Sequence, residues 1–337
     1  MALKILVTGG SGFIGSALIK ILINKYGHDV VNIDKLTYAA NPKSLESVES
    51  TNSYKFYECD ICDFDMVQNI FIEEQPNKIM HLAAESHVDR SISSPIDFIQ
   101  TNIFGTYQLL EISKNYFEKL SPDKKKLFTF HHISTDEVYG DLGRDEPSFT
   151  ELHRYKPSSP YSASKASSDH LVRAWHRTYG LPIVITNCSN NYGPFQNNEK
   201  LIPTIIRKLS SGEKVPIYGN GSQIRDWLHV DDHAHALFEA SMKGKIGQTY
   251  NIGGNSERTN LEVVKEIWYS LKNNFSNDIK INDDFESCIE FVPDRPGHDL
   301  RYAIDSSKIL TEFGFKPSET FTSGIQKTIK WYLNNLT

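Results

Sequence analysis

The sequence contains no apolar run of about 18 residues and no excess of basic residues, its net charge being −6. A membrane-spanning helix needs about 20 apolar residues, and a nucleic-acid partner usually requires a basic patch. We therefore expect neither a membrane nor a nucleic acid as partner. The apolar stretch at residues 3–7 is too short for a secretory signal, and no small-residue cleavage site follows it. These absences predict a cytoplasmic protein.

Cysteine is scarce, with four in 337 residues. Cys59 and Cys62 have the spacing of half a zinc site or of a redox pair, but no second pair accompanies them. We interpret them as free thiols in a reducing compartment. The stretch Asp231–His235 resembles a metal cluster, but it follows a strand pattern and fits a strand end and a helix start better. We therefore predict no metal site.

The first half of the chain alternates short apolar runs with helical patterns. Strands are predicted at residues 4–8, 29–33, 54–57, 78–83, 127–133 and 182–187, and helices at 13–25, 64–74, 97–117 and 161–179. Alternation of this kind predicts an α/β fold built on a doubly wound parallel sheet. Several strands are almost wholly apolar, which is typical of parallel strands covered on both faces.

A glycine-rich turn joins the first strand to the first helix. Gly9, Gly12 and Gly15 satisfy the pattern G-x-x-G-x-x-G, which allows a tight turn and close approach of a pyrophosphate to the helix N-terminus. Asp34 ends the second strand, 19 positions after Gly15, where a carboxylate can bind the adenine ribose and repel a 2′-phosphate. The turn therefore predicts a Rossmann fold that binds NAD rather than NADP. Lys35 is expected at the same site.

The regular alternation ends near residue 190, where Asn190–Pro194 has turn chemistry. Helices predicted at 201–209 and 260–272 lie among loop-rich segments, whereas a helix at 232–241 and a strand at 249–252 continue the earlier pattern. We predict that residues 1–190 with about 228–252 form the NAD-binding Rossmann domain. Residues of about 191–227 and 253–337 would form a smaller C-terminal α/β lobe that binds the substrate.

A second motif, Tyr161-x-x-x-Lys165, opens a helix whose start is indicated by Ser159 and Pro160. Residues four apart share a helix face, so Lys165 can lie near the phenol. Tyrosine has an ordinary pKa of about 10. A neighbouring ammonium and a positively charged nicotinamide would stabilise the phenolate. Tyr161 could then accept a hydroxyl proton while hydride leaves carbon, although such a pair can also be a plain surface feature.

Thr135, Asp136 and Glu137 follow the fifth predicted strand. Ligands of doubly wound sheets bind beyond the carboxyl ends of the strands. The hydroxyl of Thr135 could hold a reacting oxygen. The two carboxyl groups could act as acid and base if their environments separate their pKa values. A solvated turn is the alternative that these residues alone leave open.

Together these motifs resemble the extended short-chain dehydrogenase/reductase superfamily and, within it, the dTDP-glucose 4,6-dehydratases. The resemblance covers nearly the whole chain. It is carried by T-G-G-S-G-F-I-G at 8–15, L-A-A-E-S-H-V-D-R-S at 82–91, S-T-D-E-V-Y-G at 134–140, Y-S-A-S-K-A at 161–166 and D-R-P-G-H-D at 294–299. The Thr-Asp-Glu triplet is the most specific part, because related epimerases lack the acid pair. Asn198 departs from the family, which usually has proline there.

The resemblance implies a hydro-lyase that converts dTDP-glucose to its 4-keto-6-deoxy product for deoxysugar (rhamnose-type) biosynthesis. Tyr161, helped by Thr135 and Lys165, would let C4 give hydride to NAD+. Glu137 would remove the C5 proton while Asp136 protonates the departing C6 hydroxyl, and hydride would return to C6. NAD+ would stay tightly bound because each turnover regenerates it. A UDP-glucose 4,6-dehydratase, a 4-epimerase or decarboxylase of the superfamily, and a non-catalytic NAD-binding protein are the alternatives.

The resemblance also implies contact residues and a homodimer joined through the helices at 97–117 and 161–179. The cofactor set is Gly9, Gly12, Phe13, Ile14, Gly15, Asp34, Lys35, Asp60, Ile61, Ala83, Ala84, Thr101, Tyr161, Lys165 and Asn190. The substrate set is Ser86, Thr135, Asn191, Lys200, Leu201, Pro216, Tyr218, Arg225, Asn260, Arg295 and His298. The two arginines would offer planar forks to diphosphate oxygens.

Overall fold

The structure, a computed structural model, describes residues 2–275, 279–294 and 297–335. In these ranges the strands are β1 Lys4–Thr8, β2 Asp29–Asp34, β3 Tyr54–Glu58, β4 Lys78–His81, β5 Thr129–Thr135, β6 Ile183–Cys188, β7 Asn190–Tyr192, β8 Val215–Tyr218, β9 Ile224–His229, β10 Thr249–Ile252, β11 Glu257–Thr259, β12 Ile289–Val292 and β13 Arg301–Tyr302. The α-helices are α1 Phe13–Asn24, α2 Glu46–Glu49, α3 Phe64–Glu74, α4 Val88–Ser93, α5 Pro95–Phe98, α6 Thr106–Lys119, α7 Pro122–Leu127, α8 Pro160–Tyr179, α9 Leu201–Ser210, α10 Val230–Lys243, α11 Asn260–Asn274, α12 Ser307–Phe313 and α13 Phe321–Asn334. Short 3-10 turns lie at Pro42–Leu45, Asp136–Val138 and Glu286–Cys288, and a π-helical turn lies at Ile99–Gly105. None of the helices in the described part of the chain has the length and apolar character that crossing a bilayer requires.

The central sheet has seven parallel strands in the order β10-β6-β5-β4-β1-β2-β3. Its middle strands are buried on both faces, and Ile5, Leu6 and Val7 of β1 are fully covered. Helices α1 and α10 pack against one face and helices α3, α6 and α8 against the other. The prediction of a doubly wound parallel sheet is confirmed.

The chain reverses its direction of travel across the sheet between β1 and β4. From β1 it runs outward through β2 and β3, and then it returns to β4 on the other side of β1. The loops after β1 and β4 therefore diverge and leave a crevice at the carboxyl edge of the sheet. In doubly wound folds this crevice is where ligands bind.

A smaller α/β lobe follows the central sheet. It contains a sheet of order β11-β9-β13, with β7 also paired to β9, and the two-stranded sheet β12-β8. Helices α9, α11 and α13 enclose its core, and α11 contributes the indole of Trp268 to it. Most strands of this lobe were not predicted from the sequence, because segments of two to four residues carry too little periodicity to be recognised.

The helix predicted at 97–117 is not continuous. Its first part is α5 and the π-helical turn Ile99–Gly105, and regular α-helix begins only at Thr106. Within the turn, Asn102 binds the backbone N–H and C=O of Glu85 and the hydroxyl of Ser164. These contacts join loops that are distant in sequence, so the apolar pattern could not reveal them. Such π-turns are frequent at functional sites.

Candidate active site

A cleft of about 550 Å³ opens at the carboxyl ends of the central strands and is bounded on its far side by the smaller lobe. Loops after β1, β2, β4, β5 and β6 form its sheet side, and residues of α9, β8 and β9 form part of the opposite wall. Every residue of the predicted cofactor set lines this cleft. So does every described residue of the predicted substrate set. Arg295, the remaining member, lies outside the described residues.

The glycine turn after β1 fits a dinucleotide phosphate for steric reasons. Gly9 has φ of +73°, and a Cβ there would lie 2.7 Å from the backbone of Ala83. A Cβ on Gly15 would lie 2.2 Å from the carbonyl oxygen of Gly9, so this glycine lets α1 approach the turn. Gly12, the N-cap of α1, has no side chain to cap the helix. The first amides of α1 are thus left for an anion, and the residues present fit a pyrophosphate.

Asp34 stands at the end of β2 beside this turn. Its Oδ2 accepts a hydrogen bond from the Ser11 amide at 2.9 Å, and its Oδ1 accepts one from the Leu36 amide at 2.9 Å. Burial raises the pKa of the carboxyl, and these two amides oppose that rise. The neighbouring ammonium of Lys35 is directed to the Thr101 hydroxyl at 3.2 Å and to Asp60 at 3.4 Å. Lys35 therefore belongs to the floor of the cleft rather than to a 2′-phosphate site.

The acidic triplet lies where β5 meets the cleft. Thr135 is the N-cap of the 3-10 turn Asp136–Val138, and its Oγ1 accepts the amide of Glu137 at 3.3 Å. The same hydroxyl donates to Oδ1 of Asp136 at 3.3 Å. Asp136 is only 1% exposed, whereas Glu137 is partly exposed to the cleft. The solvated-turn alternative is therefore wrong.

Asp136 has the environment of a neutral acid. Burial raises its pKa well above the ordinary range, and the carboxyl groups of Glu137 and Asp226 add to the rise, against a smaller opposing effect of Arg225. Its Oδ2 is buried without a hydrogen-bond partner among the described residues. A protonated carboxyl with an unpaired oxygen facing a cleft is suited to donate a proton to a ligand.

Tyr161 and Lys165 face the triplet from the start of α8. Ser159 caps this helix through a capping box, and Pro160 occupies its first position, as the sequence indicated. The ammonium of Lys165 donates to the Ile133 carbonyl of β5 at 2.8 Å. The protein alone does not lower the pKa of Tyr161. Burial and the nearby Glu137 raise it, and the Thr135 hydroxyl opposes the rise.

The chain was compared with known proteins. The family model described as GDP-mannose 4,6 dehydratase matches residues 6–328. A dTDP-glucose 4,6-dehydratase of Escherichia coli is 59% identical over 99% of this chain and 94% of its own length. The chain belongs to the dTDP-glucose 4,6-dehydratase family. A dTDP-glucose 4,6-dehydratase of Bacillus anthracis, solved in complex with NAD, aligns over 99% of this chain and 97% of its own with a TM-score of 0.86 and 40% identity. The UDP-glucose 4-epimerase of Thermotoga maritima shares the fold at a TM-score of 0.85 over 99% and 100% of the two chains, but is 28% identical.

The substrate-side wall contains the residues that family resemblance indicated. Lys200 donates to the carbonyl of Ser86 at 3.1 Å and so joins the lobe to the loop after β4. His298 lies 2.6 Å from Oδ1 of Asp294, and its ring meets that of Tyr218 edge-on. Asn198, where the family usually has proline, accepts the Thr204 hydroxyl at its backbone carbonyl and so contacts the first turn of α9.

The guanidinium of Arg225 is less available to a ligand than the sequence suggested. It is buried, and its guanidinium donates to the carbonyls of Ile224, Asp299 and Leu300. The guanidinium also stacks over the ring of Tyr302 at 4.3 Å. Part of the guanidinium fork is therefore already used by the protein.

Tyr302 is a cleft residue that sequence reasoning did not single out. Tyr302 lines the cleft from β13, and its hydroxyl donates to Asp299. It belongs to a two-residue strand without a motif, so no sequence signal marks it.

The cysteines agree with the sequence-based interpretation, because all four are free thiols. His229 ends β9 and caps α10, which confirms the strand end and helix start at this position.

Proposed function

We propose that the protein is an NAD-dependent dTDP-glucose 4,6-dehydratase, a hydro-lyase that forms the 4-keto-6-deoxy sugar nucleotide for deoxysugar biosynthesis. The observation that carries this proposal is the shared cleft of Asp136, Glu137 and Tyr161. An acid, a second carboxyl group and a phenol meet beside a dinucleotide turn. An epimerase needs only the phenol and the cofactor, so the acid pair favours dehydration.

The cofactor proposal rests on the glycine turn and on Asp34. NAD+ would accept hydride from C4 of the hexose and return it to C6, and it would remain tightly bound because each cycle restores it. The amides at the start of α1 would hold its pyrophosphate, and the Asp34 carboxylate would bind the adenine ribose. Lys35, engaged by Thr101 and Asp60, is poorly placed to favour a 2′-phosphate.

Tyr161 would take the proton from the C4 hydroxyl. Thr135 would hold the same oxygen, since its hydroxyl lies beside the phenol. Lys165, fixed by the Ile133 carbonyl, would place a positive charge next to the phenol. This charge is needed because burial otherwise favours the neutral phenol.

The two carboxyl groups would divide the elimination between them. Asp136 stays protonated in its buried position and would give its proton to the leaving C6 hydroxyl. Glu137, which is less buried, would remove the C5 proton made acidic by the 4-ketone. Each role follows from the environment of the group, because identical carboxyl groups act as acid and base only when their surroundings differ.

The substrate would lie between the sheet and the smaller lobe. We propose residues 1–190 with about 228–252 as the NAD-binding domain, and about 191–227 with 253–337 as the substrate lobe. The contact residues of the lobe would be Asn191, Lys200, Leu201, Pro216, Tyr218, Arg225, Asn260, Arg295 and His298, with Ser86 opposite them. A UDP-glucose substrate is the second candidate.

A homodimer in the cytoplasm completes the proposal. Large apolar side chains are exposed around the π-helical turn and on α4, α5, α6 and α8: Ile92, Ile96, Ile99, Phe104, Tyr107 and Tyr179. Pairing of these helices across a twofold axis would cover them in a four-helix contact. Sedimentation of the purified chain, with Tyr107→Glu as the interface variant, tests this contact.

Turnover on dTDP-glucose against UDP-glucose tests the function. We expect a product lighter by one water, with the alkali absorbance of a 4-keto sugar, and faster turnover with dTDP-glucose. Recovery of dTDP-galactose would replace the proposal with an epimerase. Faster turnover of UDP-glucose would change the nucleotide, and NAD binding without turnover of any nucleotide hexose would indicate a non-catalytic protein.

A further inference from the structure

A buried polar cluster lies behind the phenol of Tyr161, centred on Asp169 of α8. The side chain of Asp169 is 0% exposed. Its Oδ2 accepts the Tyr155 hydroxyl at 2.8 Å and lies 3.5 Å from Nδ2 of Asn187, and its Oδ1 lies 3.1 Å from Nε2 of His132. Three separate segments of the chain thus converge on one buried carboxyl group.

Lys165 precedes Asp169 by one helical turn. It is 4% exposed, and its ammonium donates a hydrogen bond to the neutral carbonyl of Ile133. Residues four apart share a helix face, so the carboxyl group of Asp169 lies on the side of Lys165. A buried ammonium costs several kcal/mol unless an opposite charge offsets it. Asp169 supplies that charge: burial lowers the pKa of Lys165, and Asp169 raises it again.

The other titratable groups around this pair are neutral or cationic. Burial lowers the pKa of His132 to about 4, and it lowers that of His81 well below its ordinary value. The pKa values of the buried Cys188, Tyr139 and Tyr155 are raised, chiefly by burial, so these groups stay neutral too. Arg173, which donates to Tyr155 at 2.8 Å, is the second cation near Asp169. On the cleft side the pair faces Tyr161 and the acidic triplet.

Asp169 itself is held in the charged form. Burial alone would raise its pKa, but His132, Lys165 and Arg173 together hold the pKa below its ordinary value. The electrostatic link therefore runs in both directions between Lys165 and Asp169. A carboxylate so supported remains negative over the whole range in which an enzyme works.

We propose that Asp169 is a positioning residue whose buried carboxylate keeps Lys165 in the ammonium form beside Tyr161. The inference rests on the proposed function only in that Lys165 assists Tyr161. This role explains why the carboxylate of Asp169 lies at the centre of a buried cluster that contacts neither substrate nor cofactor. It also assigns a task to Tyr155 and Asn187, which orient that carboxylate.

The pH dependence of kcat tests this role with Asp169→Asn, which keeps the shape but removes the charge. Loss of an opposite charge shifts a pKa by about 1–3 units. The alkaline limb of kcat should move down by about one unit or more, so that kcat falls about tenfold, relative to its value on the plateau, at any pH above both limbs. Tyr155→Phe is the matched control, since it removes a bond to Asp169 but leaves its charge. It should lower the melting temperature without moving the limb.

An equal loss of kcat by Asp169→Asn at every pH would overturn the proposal, because it would indicate a purely structural role. So would a shift of the same size in Tyr155→Phe. Rescue by Asp169→Glu, which restores a carboxylate, should return the limb toward its original position.

A second test needs no substrate, and it distinguishes failure of this inference from failure of the proposed function. The urea midpoint is measured for Asp169→Asn, Lys165→Met and the double variant. If Asp169 offsets the buried ammonium, its replacement should cost less when Lys165 is already gone. Additive losses would overturn the pairing. If Asp169→Asn fails to fold, a folded double variant supports the proposal and an unfolded one refutes it.

Discussion

Replacement of Asp136 by asparagine should destroy activity and yet stabilise the protein more as the pH rises. In the unfolded chain an aspartic acid ionises with a pKa of about 3.9. In the folded protein burial raises the pKa of Asp136 well above that value. Folding must therefore take up a proton above about pH 4, and the stability contributed by this group declines as pH increases toward its folded pKa.

The magnitude follows from proton linkage. Each pH unit between the two pKa values costs about 1.4 kcal/mol of unfolding free energy. No discount for solvent screening applies, because the carboxyl group is 1% exposed. Asparagine cannot ionise, so the Asp136→Asn variant should gain up to about 1.4 kcal/mol on the wild type for each unit of pH above about 4, until the folded pKa of Asp136 is reached. Its kcat should fall by about 10²–10⁴, the usual contribution of a general acid.

Urea unfolding at pH 5, 6 and 7, at constant ionic strength, measures the difference in stability. The difference cancels the titration of all other groups. Ser134→Ala is the control, since Ser134 is buried next to the triplet and does not titrate. Its effect should be the same at each pH. A constant offset for Asp136→Asn as well would show that Asp136 is ionised in the native protein, and its role as proton donor would be lost.

Three further changes have defined outcomes. Glu137→Gln should block elimination while the bound cofactor is still reduced by substrate, visible at the reduced-nicotinamide band; an unchanged turnover would exclude Glu137 as the C5 base. Gly15→Ala would place a Cβ 2.2 Å from the Gly9 carbonyl and should cost about 1–3 kcal/mol and the NAD that copurifies, whereas Gly143→Ala, with 3.4 Å to its nearest neighbour, should do neither. His131 is fully buried, and burial lowers its pKa to about 3, so the folded protein loses stability as the pH falls below about 6.5. His131→Asn should therefore reduce the slope of stability against pH on the acid side by up to about 1.4 kcal/mol per pH unit. An unchanged slope would refute this.

The parts of the site that were predictable from sequence depend on local geometry. The role of the glycines could be predicted because the turn is local in sequence. The structure shows the matching constraint, since the close approach of Ala83 leaves no room for a side chain at Gly9. The spacing of Tyr161 and Lys165 follows from one helical turn, and the strand–helix alternation follows from burial of both sheet faces.

The remaining features depend on contacts between distant segments. Within the π-helical turn, Asn102 donates a hydrogen bond to Ser164, 62 positions away. Arg225 gives much of its guanidinium to the carbonyls near residue 300, which no motif announces. The buried carboxylate of Asp169 has the sequence signature of an ordinary exposed helix residue. Only the packed structure shows His132 and Asn187 beside it.

Burial has opposite consequences for the two cleft groups that we propose transfer protons, Asp136 and Tyr161. It raises the pKa of Asp136, which favours the protonated form of this carboxyl group. It also raises the pKa of Tyr161, which makes a phenol a worse base. Burial in the same cleft therefore suits Asp136 to act as an acid without another charged group, whereas Tyr161 requires a nearby cation to act as a base. Lys165 provides one within the chain, and the positive charge of an oxidised nicotinamide would add a second. Deprotonation of the sugar should then depend on the oxidised cofactor being bound, so that the first step cannot begin without its hydride acceptor.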